Sequence, residues 1–166
     1  MKLQPDFKEF LRLLLSHRVR FVVVGAHALA AHAEPRFTGD LDVFVEPTKA
    51  NATRLLAALA EFGFGTVGLT AEDFTRPDRV AQLGYPPVRI DLLTSISAVT
   101  FPEAWKGRVA TRLGGLDVAV LGVRELVKNK RAAGRPKDLA DLALLTGSAP
   151  APARPPAKRQ SKRRRS

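Results

Sequence analysis

The chain has 166 residues, a hydrophobic fraction of 45% and no cysteine. That is one ordinary domain with apolar residues enough for one core, and it excludes disulfides and thiolate metal sites. The formal charge of +11 overstates the basicity of the globular part: Arg154, Lys158, Arg159, Lys162, Arg163, Arg164 and Arg165 supply seven of it, leaving four for residues 1–150.

Phe7, Phe10, Leu11 and Leu14 recur at helical spacing and predict an amphipathic helix over 6–17. Met1–Pro5 carries no secretory pattern, and no window approaches the ~20 apolar residues of a membrane span, so a soluble, cytoplasmic protein without membrane contact is expected. Phe21–Val24 is a short β-branched run ending at Gly25, the mark of a buried strand and a tight turn. Alanine-rich Ala26–Ala33 predicts a helix that Pro35 stops. Leu41–Val45 is a second strand, and Leu55, Leu59 and Phe62 give the next helix its buried stripe. Thr70 and Asp73 form a capping-box pattern. Val80–Leu83 and Val88–Leu93 read as strands about the Gly84–Pro87 turn, and Val109–Leu113 and Leu116–Leu121 as a hairpin about Gly114-Gly115. Two helices, 124–133 and 137–145, join at Gly134–Pro136. The fold class is therefore α/β (α+β): a mixed β-sheet flanked by helices, with a C-terminal helical pair. The domain spans residues 1–147. Residues 148–166 read as a disordered basic tail, whose expected partner is nucleic acid by counterion release, with a solvated terminus as the equal alternative.

Chemistry concentrates in Thr38-Gly39-Asp40-Leu41-Asp42. Residues two apart on a strand share a face, so Asp40 and Asp42 project together at the mouth of an apolar strand. Two adjacent carboxylates repel, and a cation relieves the cost of keeping both ionised. Oxygen-only ligands suit Mg²⁺ or Mn²⁺, which keep waters and take substrate phosphates. Asp91 interrupts the apolar strand Val88–Leu93, and three carboxylates can hold two metals about 4 Å apart. The competing reading makes Asp40 a turn acid beside Gly39 and Asp42 an edge acid facing water.

Gly25-Ala26, the short helix, Thr38-x-Asp40-x-Asp42 and Ile90-Asp91-Leu92 together resemble the DNA polymerase beta-type nucleotidyltransferase superfamily. Asn129–Asp141 is similar to the ending of small prokaryotic members, some of them from toxin–antitoxin and abortive-infection systems. The resemblance spans residues 5–146 and implies a nucleotidyltransferase-like fold. It also implies Mg²⁺-dependent transfer of a nucleoside monophosphate from an NTP to an acceptor hydroxyl on protein, RNA or a small molecule. Under it Asp40, Asp42 and Asp91 hold the metals, and Asp91 helps deprotonate the acceptor. Gly25 and Ala26 cradle phosphate through main-chain N–H groups, with Thr38 and Lys130 as further nucleotide contacts; Arg36, beside the carboxylates, reads equally as a phosphate contact or as a surface arginine. Ala26 departs from the Gly or Ser usual in the family and lacks the serine hydroxyl. Two other functions stay open: a non-catalytic nucleotide- or nucleic-acid-binding module, and a surface partner such as that of a toxin.

Weaker signals have plainer readings. Gly63-x-Gly65-x-x-Gly68 follows a helix rather than a strand, so Gly63 is a helix C-cap and not part of a dinucleotide fingerprint. His27 and His32 lie ~140° apart round a helix and cannot share a metal. Lys130, Arg131, Arg135 and Lys137 read either as a cationic wall oriented by Asp138 and Asp141, or as an inter-helix salt-bridge network. Trp105 and Tyr85 are expected to pack.

Overall fold

The computed structural model describes residues 2–34, 38–65 and 67–147. Arg36 and the tail from 148 onward lie outside these residues. Helix α1 (Pro5–Ser16) opens with a first-turn proline and buries Phe7, Phe10, Leu11, Leu13 and Leu14 on one stripe. All four residues of β1 (Phe21–Val24) are buried. The chain turns directly into α2 (Gly25–His32) and returns as β2 (Asp40–Val45). Helix α3 (Lys49–Leu59) is capped by the Thr48 side chain, which accepts the Asn51 N–H.

The chain leaves α3 through a π-type turn, Ala60–Phe64, in which Gly63 takes φ 104°. That backbone favours glycine and ends the helical stretch just after Phe62, which is half-buried and packs against the core as the α3 stripe predicts. Its ring meets Phe10, with centroids 5.1 Å apart. The capping box of Thr70 and Asp73 starts a 3₁₀ turn, Ala71–Phe74. Strands β3 (Val80–Tyr85) and β4 (Val88–Leu93) follow, then α4 (Phe101–Lys106). Helix α4 is absent from the sequence expectations: at six residues it shows no periodicity, although Thr100 with Glu103 is a capping box and Pro102 a first-turn proline. Strands β5 (Val109–Leu113) and β6 (Leu116–Val120) form the expected hairpin. Helices α5 (Val123–Ala133) and α6 (Pro136–Thr146) are joined through Gly134, whose φ is 63°.

The six strands form one sheet in the order β3-β4-β2-β1-β6-β5. The β1–β6 and β2–β4 pairs are parallel; the other three pairs are antiparallel. Helix α1 packs on β6 and α3, α2 on β1 and β2, and α5 and α6 on each other and on α2. This is the expected mixed sheet flanked by helices with a C-terminal helical pair. Among the described residues no helix is long and apolar enough to cross a membrane.

Buried Asn51 ties the start of α3 to the sheet end remote from Gly25. Its side chain accepts the Arg20 N–H at 2.7 Å and donates to the carbonyls of Arg20 (2.9 Å) and Glu46 (3.0 Å). Trp105 packs as expected, stacked on Phe101 with the Arg20 and Arg108 guanidinium carbons 4.5 and 3.8 Å from its ring centroid. Tyr85 corrects the expectation. It is the last residue of β3, which stands at the edge of the sheet, and it is 88% exposed.

Candidate active site

Strand register assembles the site. In the parallel β2–β4 pair Asp40 stands opposite Arg89, and Asp42 opposite Asp91. Residues in register, and residues two apart on one strand, share a face. Asp40, Asp42, Asp91 and Arg89 therefore form two successive rungs on one side of the sheet. Strand β1 runs antiparallel beside β2 with Val24 opposite Asp42, which carries Gly25 to the same level.

Gly25 is required there on two counts. Its φ is 66°, and a Cβ at that position would lie 2.2 Å from Asp42 Oδ2. It opens α2, and no side chain caps that helix, so main-chain N–H groups of the first turn stand beside the carboxylates. Thr38 shapes the start of β2: its hydroxyl accepts the Asp40 N–H at 3.1 Å. The Gly39 carbonyl accepts the Arg89 N–H at 2.9 Å, locking β2 to β4 at the first rung.

These residues line a cleft of about 650 Å³. Asp40, Asp42, Asp91, Gly25, Ala26 and Thr38 form one side, and Asn129, Lys130, Arg135 and Lys137 of the helical pair line it too. The volume falls in the range of small-molecule sites. A second cavity of about 740 Å³ adjoins it and shares Asp78, Ser95 and Ile96 with it.

Electrostatics distinguish the members. Burial, then the charges of Asp91 and Asp40, push the Asp42 carboxyl up to about 6, while Lys137 and Arg89 pull the other way. Asp91 is 7% exposed. Arg89 Nε lies 3.0 Å from Asp91 Oδ1, and Nη2 lies 3.1 Å from Asp91 Oδ2 and 3.3 Å from Asp40 Oδ2. The Nε contact lacks hydrogen-bond alignment, which leaves buried Asp91 Oδ1 without a hydrogen bond.

Lys130 lines the cleft but is only 3% exposed, and its ammonium is 3.1 Å from Asp138 and 2.9 Å from Asp141. Arg135 adds a 2.7 Å contact to Asp138. Burial pushes the Asp138 carboxyl up, but hydrogen bonds from Arg135 and Lys130 outweigh it and hold the group below its ordinary range. The salt-bridge reading thus holds for Lys130 and Arg135; Lys130, Arg135 and Lys137 also line the cleft, while Arg131 lines a separate pocket. His27 is buried with its ring edge-on to Phe7 at 5.9 Å; burial lowers its pKa, against the opposing pull of the Asp40 backbone. His32 Nε2 meets the Leu121 carbonyl at 2.8 Å.

One cleft therefore collects Asp40, Asp42, Asp91, Gly25, Ala26, Thr38 and Lys130; the remaining candidate, Arg36, lies outside the described residues. Arg89 went unrecognised, although its place two residues before Asp91 on the same strand marks it as a same-face neighbour. The donor set suits a hard divalent cation: three carboxylates, one with its pKa raised by burial and then by the other two, and one with an oxygen lacking a hydrogen bond. In the present arrangement no three acidic or imidazole groups among the described residues close on a single ion.

The profile of the nucleotidyltransferase family of unknown function DUF6036 matches residues 3–145. The chain belongs to that family. Its fold is similar to the crystal structure of a Thermotoga maritima protein provisionally described as a nucleotidyltransferase. The two are 13% identical, the match covers 89% of this chain and 96% of that one, and the TM-score is 0.55. At that identity the likeness establishes the fold. No curated protein matches the chain. Family and fold agree with the superfamily resemblance read from the sequence.

Proposed function

We propose that this family member transfers a nucleoside monophosphate from an NTP to an acceptor hydroxyl, with a divalent cation, Mg²⁺ or Mn²⁺, held by Asp40, Asp42 and Asp91. The observation that carries the reading is the two-rung cluster of three carboxylates beside the glycine turn into α2, within a cleft also lined by cationic residues. A buried surplus of negative charge is costly, and a cation is what removes the cost. When bound, the ion neutralises charge on the triphosphate and polarises the phosphorus under attack.

The chain's own groups do the rest. Main-chain N–H groups of Gly25 and Ala26 receive phosphate oxygens at the start of α2. Arg135 and Lys137 meet the negative triphosphate from the helical pair. The acceptor oxygen bonds to the α-phosphorus, the bond to the departing pyrophosphate breaks, and the hydroxyl proton passes to Asp91. The cavity beyond Ser95 gives the acceptor room to approach.

Each α-labelled NTP, incubated with Mg²⁺ or Mn²⁺, the full chain and a cell extract, tests this. Label should move to an acceptor with one pyrophosphate released per transfer. Binding of the metal–NTP complex without release would leave a non-catalytic nucleotide binder, the reading that Ala26 in place of a serine favours.

A further inference from the structure

The carboxylate cluster already carries a cation of its own. Asp40 stands opposite Arg89 and Asp91 two residues beyond it, so the guanidinium spans the first rung and reaches the second. It takes one oxygen of Asp40 and approaches both oxygens of Asp91. Those are the oxygens a divalent ion would need, at about 2.0–2.1 Å for Mg²⁺. A guanidinium and a divalent ion cannot occupy one set of lone pairs, and at such spacing the two cations repel. The failure of the three acids to close on one ion agrees with this: Arg89 stands between two of them.

We infer that Arg89 is a resident counter-cation that the divalent ion displaces. In the metal-free chain it holds Asp40 and Asp91 together and keeps the acid pair from repelling the strands apart. When the ion binds, Arg89 leaves the pair and turns into the cleft, where it adds to the positive charge of Arg135 and Lys137 facing the triphosphate. The exchange couples metal loading to the cleft's affinity for phosphate. It is reachable sterically, since the Arg89 side chain is 28% exposed and itself lines the cleft. This rests on the reading that the carboxylates take a divalent cation. The rival role is a fixed brace that holds Asp91 in the ligand position. The two roles predict opposite signs when Arg89 is removed.

The test is Mn²⁺ titration of the full chain by calorimetry or electron paramagnetic resonance, with melting curves in metal-free buffer and in Mn²⁺. Wild type is compared with Arg89→Met, which keeps the apolar stem, and Arg89→Lys, which keeps a charge. Displacement predicts that Arg89→Met melts lower than wild type without metal, binds Mn²⁺ at least tenfold more tightly, and recovers its melting temperature as Mn²⁺ is added. Arg89→Lys should fall between them, and it carries the comparison if Arg89→Met does not fold. Equal or weaker Mn²⁺ binding by folded variants overturns the exchange and leaves the metal reading standing. An absence of Mn²⁺ binding in wild type and variants alike overturns both.

Discussion

Two charged clusters border one cleft, and their balance differs. In the helical pair Lys130 and Arg135 face Asp138 and Asp141, two cations for two carboxylates. On the sheet Arg89 faces Asp40, Asp42 and Asp91, one cation for three carboxylates, and Asp42 is left with its pKa raised to about 6. The balanced cluster needs no cation from outside: its buried Lys130, Asp138 and Asp141 behave as architecture, while exposed Arg135 also faces the cleft. The unbalanced one is complete only when a further cation arrives. The two differ in burial as well as in balance: Lys130, Asp138 and Asp141 are closed off from solvent, whereas Asp40 and Arg89 reach it, so the unbalanced cluster is also the one an ion can enter.

The largest expected effect breaks the balanced side. Lys130→Ala leaves two carboxylates buried without their ammonium and should cost about 3–5 kcal/mol of stability. Urea denaturation should show it, and adding Asp141→Asn should recover part of the loss. If Lys130→Ala melts like wild type, the network is not structural. On the unbalanced side, Asp42→Asn keeps the shape and removes one charge. Transfer of label from NTP should fall at least ~100-fold, the scale for losing one preorganised electrostatic group, while the metal-free fold stays intact. Near-wild-type transfer would place the activity elsewhere. Gly25→Ala comes next. A left-handed backbone costs a non-glycine residue roughly 1–2 kcal/mol, and the new methyl must displace the Asp42 carboxylate. Melting temperature and metal affinity should fall together; a loss of stability alone would detach Gly25 from the site.

Much of this contrast was legible in the sequence because it is local. The Val22–Val24, Leu41–Val45 and Val88–Leu93 runs mark strands by β-branched and apolar content, and spacing of two puts Asp40 with Asp42. Thr70 with Asp73 announced its turn. What escaped depends on partners distant in the chain. Arg89 binds Asp40 only because β4 pairs in parallel with β2 at that register. The Lys130 contacts with Asp138 and Asp141, by contrast, were among the readings the sequence offered, since Gly134 turns α6 back onto α5 within a few residues. Tyr85 looks like a packing residue until the sheet order leaves β3 at an edge. Helix α4 was missed for the opposite reason: its signal was local, but a six-residue helix gives caps and no period.

The smallest expected effect sharpens the comparison most directly, because it reads the imbalance as a function of pH. Asp42 holds its proton up to about pH 6 in the folded chain, against an ordinary value of 3.8, because burial and the charges of Asp91 and Asp40 penalise ionisation. A raised carboxyl pKa favours the folded state fully below the unfolded value, where Asp42 is protonated in both states. That contribution is lost as pH rises through about 6 and the native carboxyl must ionise beside its neighbours. Asparagine at this position has no such titration. In metal-free buffer the melting temperature of Asp42→Asn should therefore gain on wild type between pH 4 and pH 7, by on the order of 2–4 °C for each 1 kcal/mol of penalty relieved. Adding Mn²⁺ at pH 7 should stabilise wild type and not the asparagine variant, closing the gap. A gap that stays flat from pH 4 to 7 would mean that Asp42 carries no penalty for its charge, and the claim that this cluster awaits a cation would lose its electrostatic basis.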